Sequence, residues 1–193
     1  MKKKLLIMLL AGSMVISLSA CGGSDDSKKD SKAKTEQTND EKEQKEAKEA
    51  QAAMDAKYNP NNIKPADYSN TDEYLAAWIN GVAQNTSEMV DTIAHAAKAS
   101  ANYSSSSEKD DEALSFISTS YPNYFTDNSV MEKTMYYGYY LEYANAKNGP
   151  TNLGANVGMD TYQAVKYVYR GSESTDGQHV MSNLDQIKDG LSQ

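Results

Sequence analysis

The chain has 193 residues, 39% hydrophobic and 24% charged, and carries 27 acidic against 19 basic side chains for a net charge of −8. That balance argues against nucleic acid as a partner, and against an anionic lipid surface recognised by charge. A single cysteine excludes an internal disulfide, so any folded part must be held together by an apolar core.

The first element is an address label. Met1 is followed by Lys2, Lys3 and Lys4, and the stretch from Leu5 to Leu18 then carries no charge. A basic start before a short apolar run is the pattern of a secretory signal peptide. Fourteen residues of helix rise about 21 Å, short of the roughly 30 Å hydrocarbon core of a bilayer, so a permanent span is disfavoured. The sequence Leu18-Ser19-Ala20-Cys21 resembles a lipobox, the recognition sequence of bacterial lipoprotein processing. The resemblance implies diacylglyceryl transfer to the Cys21 sulfur and cleavage after Ala20, so that residues 1–20 are removed and lipid on Cys21 makes the membrane a partner. Two or more acyl chains hold a protein stably at a bilayer, where one holds it marginally. Loss of Lys2, Lys3 and Lys4 leaves 16 basic against 27 acidic side chains, a net charge near −11. Arg170 is the only arginine. That lysine bias, with the lipobox and Gly22-Gly23-Ser24 behind it, resembles lipoproteins of AT-rich Gram-positive genomes. The expected location is the extracytoplasmic face of a cell membrane.

Residues 21–65 read as a charged tether. From Gly22 to about Lys57 the chain is Ser, Asp, Lys, Glu, Gln and Ala, with Met54 the one sizeable apolar residue. Such a segment cannot bury enough surface to offset the entropy of ordering. Residues 40–58 are nonetheless rich in helix formers, with Glu and Lys at helical spacing, and permit an isolated helix. Asn59-Pro60-Asn61-Asn62-Ile63-Lys64-Pro65 then ends it.

Residues 66–193 are about the modal length of one domain, and alternating strand patterns are absent. The sequence predicts an all-α fold, a small single-domain bundle of about five helices. The first runs from Asn70, with Glu73 three residues on as a capping arrangement, to about Ala101. Its apolar stripe is Leu75, Trp78, Val82, Met89, Ile93 and Ala97. A second is capped by Ser107 and ends near Thr119. A third opens on Ser129-x-x-Glu132 and stops at Asn148-Gly149-Pro150. A fourth spans Asp160 to Arg170, closed by Gly171. The last begins near Thr175 and carries Val180, Leu184, Ile187 and Leu191 on one face.

The third helix contains Tyr136-Tyr137-Gly138-Tyr139-Tyr140-Leu141-Glu142-Tyr143. Plotted at 100° per residue, Val130, Tyr137, Leu141 and Ala144 fall on one side and Met131, Met135, Tyr139 and Ala146 on another. A helix apolar on more than one side is expected at the centre of its bundle, with Gly138 admitting a close neighbour. Most of these tyrosines therefore belong to the core. Tyr136 and Tyr143 share a strip with Glu132, Lys133 and Lys147 and are expected to reach solvent. There they form a candidate surface for a protein, peptide or glycan partner.

Motifs for chemistry are thin. Neither His95 nor His179 has a metal-ligand neighbour at helical spacing beyond the lone Asp91, so no metal site is expected. No serine sits in a nucleophile elbow, no glycine run has a phosphate-loop context, and no carboxylate pair has a spacing that marks glycoside hydrolysis. No catalytic residue and no cofactor is assigned. The segments Tyr121-Pro122-Asn123-Tyr124-Phe125, Met131 to Gly138 and Val165 to Gly171 resemble the C-terminal domain of helical lipoproteins and secreted proteins from gut-dwelling Gram-positive bacteria. The resemblance spans about 75 residues and carries no activity with it. The expected function is a non-catalytic binding or interaction module. The alternatives are an accessory lipoprotein of a membrane machine (transport, cell-wall assembly, a prophage or a conjugative element) and a cell-wall enzyme without a recognisable motif.

Overall fold

The computed structural model describes residues 45–193 apart from 47, 51, 54, 55, 60, 84, 150 and 151. The signal peptide, the lipobox with Cys21 and the spacer to residue 44 lie outside the described residues. The described residues between Lys45 and Tyr58 are helical.

Six helices follow: α1 (Thr71–Val82), α2 (Thr86–Tyr103), α3 (Ser107–Ser120), α4 (Asn128–Asn145), α5 (Leu153–Tyr169) and α6 (Gln178–Leu191). Among the described residues there is no strand, and no helix is long and apolar enough to cross a membrane. The all-helical fold therefore stands.

Several boundaries differ from the sequence reading, most of them for a capping reason. The long first helix is two, because Ala83 is extended and Asn85 starts again, its side chain accepting from the Glu88 backbone N–H at 3.1 Å. Asn85-x-x-Glu88 repeats the spacing of Asn70-x-x-Glu73, where the same bond is 2.9 Å. Ser106, not Ser107, caps α3, and Asp127 replaces Ser129 as the cap of α4. Glu132 instead accepts from the Tyr169 hydroxyl at 2.7 Å. Helix α5 begins at an Asn152 cap, a full two turns before Asp160, which lies buried in mid-helix. Helix α6 starts at Gln178, after Thr175.

Helix α4 lies at the centre, packed against α5, α2 and α3, and α6 covers the far side of α5. Trp78, Ile93, Ile117, Tyr124, Met135 and Leu141 are among the largest fully buried side chains of the core. The α4–α5 contact is set by two glycines. A Cβ at Gly138 would stand 2.8 Å from the Tyr162 nitrogen, and one at Gly158 would stand 2.6 Å from the Gly138 oxygen. Both helices thus touch through backbone, where neither can yield. Upstream of α1, Ile63 is buried in the same core and Tyr58 stacks on His95 at 4.1 Å, so packing begins before residue 66.

Candidate binding site

The sequence strip holding Tyr136 and Tyr143 does not face solvent as one surface. Helix α2 lies along it, so Tyr136 is 4% exposed while Tyr143, two turns on, is 37% exposed. The expectation that Tyr136 reaches open solvent is therefore corrected. Its charged companions are also engaged. Lys133 pairs with Asp72 of α1 at 2.7 Å, and Glu132 holds Tyr169. Tyr143 borders a separate cavity of about 350 Å³ with Ser105 and Lys147, and the Lys98 ammonium lies 5.4 Å from its ring centroid.

Tyr136 instead forms part of the wall of a cavity of about 410 Å³. The cavity opens where the start of α1, the end of α2 and the first turn of α3 meet over the middle of α4. Aromatic rings supply much of it. Tyr68, Tyr74 and Tyr136 follow one another at ring separations of 5.8 and 6.3 Å and steep angles of 60° and 71°, and Tyr103 stands at the rim, 56% exposed. Such edge-to-face arrangements are the favoured geometry for aromatic pairs and keep each ring fixed. The Tyr74 hydroxyl is anchored by donating to the Ala96 carbonyl at 3.1 Å.

The polar part comes from α3. Capping by Ser106 turns Lys109 and Glu112, one helical step apart, toward α4 and α1. Lys109 Nζ donates to the Ser100 hydroxyl at 3.4 Å. Glu112 Oε1 accepts from the Tyr137 hydroxyl at 2.5 Å and from Thr71 Oγ1 at 3.4 Å. A narrow recess of about 10 Å³ continues past Thr71, Lys109, Glu112 and Tyr136 to Tyr137 and Tyr140. That is room for about one water-sized group. The Tyr140 hydroxyl there is buried, with no partner at hydrogen-bond distance. Burial pushes the Tyr136 phenol up to about 12, against a hydrogen bond from Ser100. Burial, then the bond to Glu112, pushes Tyr137 up as well, and burial with the nearby Asp110 carboxylate does the same to Tyr140. All three phenols are therefore neutral near pH 7, with the Tyr137 hydroxyl already donating to Glu112.

A second titratable cluster lies between α4 and α5. Burial raises the pKa values of Glu142 and Asp160 and lowers that of Lys166, whose ammonium sits 5.1 Å from the Tyr162 ring centroid. Asp160 also borders a cavity of about 380 Å³ with Leu153, Val157, Met159 and Asp189, which lacks the tyrosines of the first. His179 is joined to Glu173, and Asp91 to Arg170 at 3.0 Å. Among the described residues no three His, Cys, Asp or Glu side chains come together to hold a metal ion.

Of the residues lining this cavity the sequence singled out Tyr136 alone, and as a solvent-facing residue; Tyr68, Tyr74, Ser100, Tyr103, Lys109 and Glu112 were not singled out. They come from four segments that only the packing of α1, α2 and α3 onto α4 unites. No protein-family model, curated protein or solved structure matches the chain.

Proposed function

We propose that the chain is a lipid-anchored, extracytoplasmic binding module that holds its ligand in the tyrosine-walled cavity over α4. The anchor rests on the sequence: a basic start, an uncharged run and Leu18-Ser19-Ala20-Cys21 containing the one cysteine. The binding role rests on one observation. Tyrosine rings and hydrogen-bonding groups of both senses converge on a single open cavity of about 410 Å³, within the roughly 300–1,000 Å³ of small-ligand sites. A non-catalytic reading is favoured by Glu112, whose Oε1 already takes two donors and is thereby tied to the wall.

A photocrosslinking amino acid in place of Tyr103, at the rim, tests this in intact cells. Met181 on α6 is the control, since it is 46% exposed against 56% for Tyr103 but lies away from the cavity. The reading expects defined adducts from position 103 and none of the same mass from position 181. Identical patterns from both positions, or no adduct at either, would overturn it.

A further inference from the structure

The geometry points to a neutral saccharide as the ligand class of this cavity, an inference that rests on the binding-module reading. Three properties of the lining carry it. The first is charge. Lys109 and Glu112 bring one charge of each sign to the lining, so it carries no net charge of its own, and Glu112 is also engaged by Tyr137 and Thr71. A ligand of either net sign would find as much repulsion as attraction there. An anionic ligand would also meet the field of a chain with net charge −8.

The second is the sense of the hydrogen bonds. Ser100, Thr71, Tyr136 and Tyr140 present hydroxyls, which donate and accept alike, beside an ammonium that only donates and a carboxylate that only accepts. That mixture suits a ligand whose own groups do both, as the hydroxyls of a sugar do. A lipid tail would leave the Tyr140 hydroxyl without a partner, at a cost of about 1–3 kcal/mol. The recess beside Tyr140, about 10 Å³ in volume, admits one hydroxyl-sized group and no larger substituent.

The third is shape. The Tyr68 and Tyr103 rings at the mouth offer flat, partly apolar surfaces on which the C–H face of a pyranose ring can rest. A volume of about 410 Å³ accommodates one or two sugar rings.

The test uses the full chain extracted from membranes in an amine-oxide detergent, which has no sugar headgroup. Saturation-transfer NMR is recorded with glucose, N-acetylglucosamine, maltose and N,N′-diacetylchitobiose, and with glycine as a zwitterionic control, each at about 10 mM, where millimolar affinities register. Trp78, the only tryptophan, lies 6.3 Å from the Tyr74 ring and gives a fluorescence readout from the protein side. At least one saccharide is expected to bind. Its affinity should fall at least about tenfold in both Glu112→Gln and Tyr103→Ala, with the helical circular dichroism of the folded chain unchanged. Silence of all four sugars, binding undiminished in both variants, or binding of glycine alone would overturn the inference. The Tyr103 crosslinks separate this failure from that of the underlying reading. Peptide adducts at 103 with silent sugars remove the saccharide and leave a binding module, whereas no adducts and no binding remove both.

Discussion

Tyr136 and Tyr143 are seven residues apart on one helical strip, yet their environments differ: Tyr74 of α1 and Ser100 of α2 lie against the first, whereas the second stands partly open beside Lys98. Their substitutions should differ accordingly. Tyr136→Ala empties a buried site and is expected to cost about 3–5 kcal/mol. Tyr143→Ala removes a partly exposed ring and should stay within about 0.5 kcal/mol. Urea unfolding of the two variants checks this, and equal losses would contradict the placement. Asp160 offers a pH test at the same scale. It is 7% exposed, and burial raises its carboxyl pKa above the unfolded value. The protonated form therefore favours folding. This contribution is full below the ordinary carboxylate range and is lost as pH rises through the raised folded value. Asp160→Asn, which imitates the protonated acid, should raise the melting temperature at pH 7, and the gain should disappear at about pH 3. A gain of equal size at both pH values would rule out burial of the charge as its cause.

Among the elements, α4 and α5 are held at backbone distance by Gly138 and Gly158. Helix propensity alone favours alanine over glycine by about 1 kcal/mol, so a net loss must come from the clash. A Cβ at Gly158 would meet the Gly138 oxygen at 2.6 Å and the Glu142 nitrogen at 2.7 Å. Gly158→Ala is expected to destabilise by about 2 kcal/mol or more, since overpacking that forces backbone shifts outweighs the propensity gain. Gly81→Ala in α1 meets nothing closer than 3.5 Å and should stabilise slightly. Thermal melting of the pair distinguishes steric contact from propensity, and a stabilising Gly158→Ala would contradict the close crossing. This scale also shows what was legible in the sequence. The centrality of α4 followed from apolar residues on more than one of its sides, and Gly138 pointed to a close neighbour. Helix starts were less legible because Ser, Asp and Asn cluster there. Asp127 and Ser129 both suit a cap, and Asp127 takes the Val130 N–H at 3.0 Å. The break at Ala83–Asn85 was hidden because the apolar stripe steps by seven from Val82 to Met89, which is in phase on either side of it.

At the scale of the molecule, the candidate site is a product of assembly. Tyr68, Tyr103 and Glu112 carry no local signal, since an isolated tyrosine or a Glu in a helix's second turn is ordinary. Their convergence depends on α1, α2 and α3 packing around α4, which periodicity could not register against one another. The address of the molecule has the opposite character. Charge, apolar length and the Leu18-Ser19-Ala20-Cys21 sequence are all local, so the lipid anchor is proposed from the sequence alone. The proposed function joins the two, placing an assembled pocket on a tethered domain at a membrane surface. Intact-mass analysis of the membrane-extracted protein, alongside fractionation of Cys21→Ala, tests that union most directly. The account predicts a chain beginning at Cys21 and bearing diacylglycerol, with Cys21→Ala released from the membrane fraction. An unlipidated chain, or Cys21→Ala held as firmly as the wild type, would contradict it.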